Sequence, residues 1–153
     1  MDFEKFYNKC LHFLSFRPRS EKEIRDYLAK KKVSEEVSQK IIAKLKEYKF
    51  VDDFEFTKWW IEQRTRIKPK SWWTIKFELK QKGISSELIE NSEIETPNDL
   101  ETAKKLAEKK LRSISNKEDK QKTKEKLGRF LASKGFDWGI IRKSIDDVLS
   151  EIV

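Results

Sequence analysis

The sequence predicts an all-α chain of three tandem three-helix repeats forming a short curved solenoid. Three observations predict it: a pattern that recurs after 51 and again after 52 residues, capping residues at fixed points of that pattern, and the lack of sustained period-2 alternation or a hairpin signal. Arg17-Pro18-Arg19-Ser20 is echoed by Lys68-Pro69-Lys70-Ser71. Downstream, Ile24, Leu28, Lys31, Val33 and Ser34 find their counterparts in Ile75, Leu79, Lys82, Ile84 and Ser85. A third copy sets Thr123, Leu127, Leu131, Lys134, Gly135, Phe136 and Asp137 on Ser71, Ile75, Leu79, Lys82, Gly83, Ile84 and Ser85. Units of this kind bury their apolar faces against one another. The expected divisions are residues 1–51, 52–92, a polar linker at 93–99, and 100–153.

Each helix has a local reason. Phe3, Phe6, Tyr7, Cys10, Leu11 and Leu14 make the apolar stripe of the first. Ser20-Glu21-Lys22-Glu23 is a capping box that starts the second, whose buried side is Ile24, Tyr27 and Leu28. Lys30-Lys31-Lys32 suits the negative end of its dipole. Ser34 opens the third, with Val37, Ile41, Ile42 and Leu45 facing inward. Asp52-Asp53 closes the first unit and caps a helix carrying Phe56, Trp59 and Trp60, whose stripe must pack. Gly83 and Gly135 fall where a left-handed residue ends a helix, and Ser85 and Asp137 cap the next one. Ala103, Leu106, Ala107 and Leu111 mark the first helix of the last unit. Residues 113–123, rich in Ser and Lys, read as an irregular loop or a frayed helix.

Composition narrows the function classes. Of 153 residues, 41% are charged and 37% hydrophobic, with 4 Gly, 3 Pro and a mean hydropathy of −0.82, which excludes collagen-like and linker proteins and any apolar membrane span. The first residues lack a basic stretch followed by an apolar one, so a soluble cytoplasmic protein is expected. The aromatic content of 12% argues for a folded chain despite the charge. The net charge of +8, with +5 over 1–50, −2 over 51–100 and +5 over 101–153, suits a polyanion or an acidic protein surface as partner.

Catalysis finds little footing. There is no phosphate-cradling glycine loop, and one Cys and one His cannot make a disulfide or a His/Cys zinc site. Cys10 reads as a small core residue, His12 as a helix-surface or partly packed one, and Asp52-Asp53 as caps rather than Mg²⁺ ligands. No enzyme, metal or cofactor is expected.

Binding is better supported. Trp72 and Trp73 stand where the other two units carry Glu21-Lys22 and Lys124-Glu125, so the position meets solvent or a neighbour. Around them lie Arg64, Arg66, Lys68, Lys70, Lys76, Lys80 and Lys82 against Glu78 alone. Cations interleaved with rings can neutralise phosphates and stack bases, or anchor an acidic protein groove. The two tryptophans either face such a partner or plug the seam between units. Lys31, Lys82 and Lys134 recur at one corner of every unit and would form a basic ridge if the units align them; Arg17 and Arg19 are the first-unit equivalents of Lys68 and Lys70.

At this point the residues resemble a known family. Arg19-Ser20-Glu21-Lys22-Glu23-Ile24 with Leu28 and Lys31 is similar to the first repeat of the regulatory protein RecX family. The run Leu45 to Phe56, with Val51-Asp52-Asp53-Phe54-Glu55-Phe56, resembles its aliphatic-Asp-Asp-x-x-Phe signature, and Ile75-Lys76-Phe77-Glu78-Leu79-Lys80-Gln81-Lys82-Gly83-Ile84-Ser85 its second-repeat signature. The chain departs from the family pattern at Lys68-Pro69-Lys70-Ser71-Trp72-Trp73, where members often carry a glycine-containing basic turn. The resemblance implies three tandem three-helix repeats. It also implies a negative modulator that docks in the groove of the RecA–DNA filament and suppresses ATPase, strand exchange and coprotease activity. Single- and double-stranded DNA would be secondary partners; a monomer is the default, because no coiled-coil repeat or long apolar stripe is left over once the units pack. A stand-alone DNA-binding helical module and a protein-interaction scaffold are the alternatives.

Overall fold

The computed structural model describes residues 2–91, 93–115 and 119–150. Among them the chain forms helices α1 (Asp2–Phe16), α2 (Glu21–Lys30), α3 (Glu35–Glu47), α4 (Asp53–Arg66), α5 (Trp72–Gln81), α6 (Ser86–Ile89), α7 (Asp99–Ser113), α8 (Lys120–Ser133) and α9 (Trp138–Ser150), and no strand. The caps fall largely where the sequence places them. Ser20 accepts the Glu23 N–H while Glu23 accepts the Ser20 N–H. Ser34, Ser85 and Asp137 receive the amides of Val37, Leu88 and Ile140. Asp52, not Asp53, caps α4, through Phe54 and Glu55.

One stretch differs from expectation. Of residues 113–123, expected as an irregular loop or a frayed helix, Ser113 is the last of α7 and 120–123 are already in α8, while 116–118 lie outside the described residues. Asp119 takes the Lys122 N–H at 3.1 Å, so a carboxylate four residues ahead of Thr123 starts the helix. Thr123 therefore sits inside α8, buried, its hydroxyl donating to the Asp119 carbonyl, and does not occupy the capping role of Ser20 and Ser71.

The helices pack into two compact bodies, Met1–Trp60 with Glu78–Ile94 and Ile61–Phe77 with Glu95–Val153, so the division runs through the middles of α4 and α5. The first is built around Cys10, Ile24, Leu28, Ile41 and Leu45. Burial pushes the Cys10 thiol up to about 11, which keeps it an inert thiol in the core. The second is built around Ala107, Leu111, Leu127, Leu131, Ile141 and Val148.

Each body contains the same joint between successive repeats. In the first, the Ser20 hydroxyl donates to the carbonyl of Lys82 at 2.7 Å, and the Glu21 N–H donates to the Asp53 carboxylate at 2.8 Å. In the second, the Ser71 N–H donates to the carbonyl of Lys134 at 3.0 Å, and the Trp72 N–H to the Asp99 carboxylate at 2.9 Å. The start of one repeat's middle helix is thus held by the end of the next repeat's middle helix and by the first residue of its leading helix. Helix starts need such outside acceptors, because their first amides have no partner within the helix. Gly83 (φ +81) and Gly135 (φ +89) make the close approach possible: a Cβ would lie 2.6 Å from the Lys22 Cβ in one joint and 2.1 Å from the Thr74 Oγ1 in the other. The equivalent residue of the first repeat is Lys32, with φ 61.

Candidate functional site

The residues singled out for binding divide by what already holds them. In the first body, Arg17 pairs with Glu23 at 2.5 Å, and its guanidinium lies 5.8 Å from the rings of Trp59 and Trp60. Lys82 reaches the same carboxylate at 3.2 Å and lies 5.4 Å from the Trp60 ring, whose indole N–H donates to Glu78. Burial alone would raise the Glu23 carboxyl; Arg17, the Ser20 amide and Lys82 together bring it below the ordinary carboxylate range. Arg19 lies 3.7 Å from the Phe13 ring centroid and donates to the Phe13 carbonyl. Lys31 is exposed at the end of α2, its Nζ 5.5 Å from the Tyr27 ring. Trp60 is buried against Phe56, as its stripe position demands, and Trp59 is half-buried.

In the second body the same positions are more open. Arg66 pairs with Glu62 on the exposed side of α4, Ile67 and Lys68 are exposed beyond it, and the Lys70 N–H closes the turn onto the Arg64 carbonyl at 3.0 Å. Trp72 and Trp73 part ways at the start of α5. Trp72 is half-buried, with Lys76 5.8 Å from its ring; Trp73 is 66% exposed. Trp73 stacks on Phe77, itself 53% exposed, with ring centroids 5.8 Å apart and planes 9° from parallel. Two large rings held side by side in solvent are unusual for residues with no inward role. Lys80, exposed further along α5, belongs to the first body. Lys134 ends α8 with its Nζ 5.4 Å from Phe130.

Sequence reasoning missed Phe77 as part of this surface and Ile67 as an exposed apolar residue just after α4. The signal for Phe77 was its i, i+4 spacing from Trp73, which puts the two rings on one helical face. It missed Asp99 altogether. Among the described residues, no group of three or more His, Cys, Asp and Glu side chains is placed to hold a metal ion, and no helix is long and apolar enough to cross a membrane.

Comparison with known proteins identifies the scaffold. Models of the first, second and third three-helix domains of RecX match residues 7–45, 52–92 and 98–145. The chain belongs to the RecX family. Regulatory protein RecX of Clostridium tetani is 35% identical over 153 residues, covering 95% of this chain and 70% of its own. That of Oceanobacillus iheyensis is 39% identical over 146 residues, 94% of this chain and 53% of its own, so the chain spans about half the length of that relative. The crystal structure of RecX from Lactobacillus salivarius superposes with a TM-score of 0.74 at 26% identity, covering 99% of this chain and 98% of that one. The three RecX domains carry the repeated joint of Ser20, Asp53 and Lys82 and of Ser71, Asp99 and Lys134.

Proposed function

We propose that this RecX-family chain is a negative regulator of the RecA recombinase. It acts as a cytoplasmic monomer that docks in the groove of the RecA–DNA filament and lowers ATPase, strand-exchange and coprotease activity, with no chemistry of its own. The observation that carries the reading is the exposed Trp73–Phe77 pair on α5, with Lys76 against Trp72 and with Arg66 and Lys68 preceding it along the chain. Rings with cations around them suit a surface where acidic protein groups and DNA lie together.

The test is ATP hydrolysis by RecA on single-stranded DNA, titrated with this protein and repeated with DNA in large excess. Inhibition that survives excess DNA supports filament docking; none at any ratio refutes it. The double variant Trp73→Ala with Lys76→Ala is expected to raise the inhibitory midpoint about tenfold, the loss of roughly 1.4 kcal/mol. Its melting temperature should stay close to the native one, since Trp73 buries little. A fall of many degrees would make Trp73 a packing residue instead.

A second reading, direct DNA binding, is favoured by α8. Lys122, Lys126 and Arg129 share one exposed stripe there and have no ion-pair partner among the described residues. It predicts inhibition that vanishes with excess DNA, and a binding constant whose logarithm falls by about 0.7–0.9 per phosphate neutralised as log salt rises.

A further inference from the structure

We infer that Asp99 is a positioning residue for the Trp73–Phe77 face, acting through the main-chain amide of Trp72. This rests on the functional reading above only for its consequence in RecA inhibition; the structural link stands apart from it.

The first turn of α5 is Trp72-Trp73-Thr74, with no acid, and indole rings cannot accept the amides at a helix start. Ser71 deals with one of them, its hydroxyl accepting the Thr74 N–H at 3.1 Å. The Trp72 N–H goes to the Asp99 carboxylate instead, across 27 residues of chain. Asp99 is well placed to hold it firmly. It is the first residue of α7, whose side chains Ala103, Leu106, Ala107 and Leu111 belong to the core of the second body, and Asn98 fixes that helix start through the Glu101 amide at 3.1 Å. An ionised acceptor on a rigid element makes a stronger bond than a neutral one. Burial pushes the Asp99 carboxyl up, and Asp137 adds to this, while the Trp72 amide and Lys76 hold it down.

What the bond fixes is the attitude of the turn from which Trp73 projects. Trp73 is the next residue along, Phe77 lies one turn later, and Lys76 borders Trp72. The first joint supplies the control. Asp53 holds the Glu21 amide in the same way, but the turn it steadies carries Glu21 and Lys22 rather than exposed rings.

The test uses the full chain with Asp99→Ala, Asp99→Asn and Asp53→Ala, read by hydrogen exchange of single amides and by inhibition of RecA ATP hydrolysis. In Asp99→Ala the Trp72 amide should exchange about tenfold faster or more, with the Glu21 amide unchanged, and inhibition should weaken. Asp99→Asn, which keeps an acceptor oxygen, should restore both. Asp53→Ala should free the Glu21 amide and leave inhibition as it was. An unchanged Trp72 amide in Asp99→Ala overturns the link, and so does an equal loss of inhibition in Asp53→Ala. If the native protein does not inhibit RecA while the Trp72 amide still responds to Asp99, the functional reading fails and the positioning stands. Asp99→Glu, which keeps the charge and displaces the carboxylate, carries the same test should Asp99→Ala lose its helical circular dichroism.

Discussion

The two joints share one backbone scheme and differ in what their first turns carry. At the first, Glu21 and Glu23 gather the surrounding cations: Lys46 and Arg25 sit 2.9 and 3.3 Å from Glu21, and Arg17 and Lys82 converge on Glu23. At the second, Trp72, Trp73 and Thr74 replace those residues, and rings stand open beside Lys76. The hydrogen bonds the two joints share use main-chain groups, a serine and an aspartate, so the side chains of the first turn can differ; the first joint adds the Lys82–Glu23 pair to them. The same joint can be closed by charge in one place and left open for a partner in another.

The largest way to break this equivalence is at the glycines. Gly135→Ala should cost roughly 2–4 kcal/mol, combining a left-handed backbone with a Cβ forced onto Thr74 and Ser71. Gly83→Ala should cost less, since Lys22 is exposed and its flexible stem can shift, although the Cβ it meets first cannot. Thermal melts of the two variants measure the difference. Equal and negligible losses would mean the joints are looser than their distances imply.

Charge gives the next effect. Glu23 has a lowered pKa, so its contribution is present above the ordinary carboxylate range and is lost as pH falls through the lowered value. Glu23→Gln should therefore cost about 1–2 kcal/mol at pH 7 and flatten the acid limb of the melting-temperature profile. Asp53 and Asp99 have raised pKa values, mainly from burial, and act with the opposite sign: each destabilises as pH climbs from the ordinary to the raised value. An acid limb in Glu23→Gln as steep as the native one would contradict this assignment.

Much of the fold was legible because its signals are local. Ser20 with Glu23, the Ile75–Leu79 spacing and the glycines at 83 and 135 each announce a helix end or a buried face within a few residues. The start of α8 was misjudged because Thr123 aligns with Ser71, while the residue that begins the helix is Asp119, outside the repeated pattern. The candidate surface was legible as composition rather than arrangement. Arg17, Arg19 and Lys82 look like free cations in the sequence, yet long-range partners such as Trp60 and local ring and carbonyl contacts such as those of Phe13 hold them. The tryptophan doublet drew notice as a pair, whereas the helix turns Trp72 inward and matches Trp73 with Phe77. Asp99 gave no signal because its partner is an amide 27 residues away.

The smallest effect concerns Lys32. It adopts the left-handed backbone that glycine takes in the other repeats, and Lys32→Gly should raise stability by up to about 1 kcal/mol through relief of that strain. A decrease on thermal melting would show that the lysine side chain earns its place by contact.

Lys32 has another consequence. In the other two repeats the bare glycine is the landing pad on which the preceding repeat's helix sets down. The first repeat presents a side chain there instead, so a neighbouring molecule cannot seat its own helix start on it by the same joint. A repeat corner that carries a Cβ there is closed to that joint, whichever helix start is offered to it.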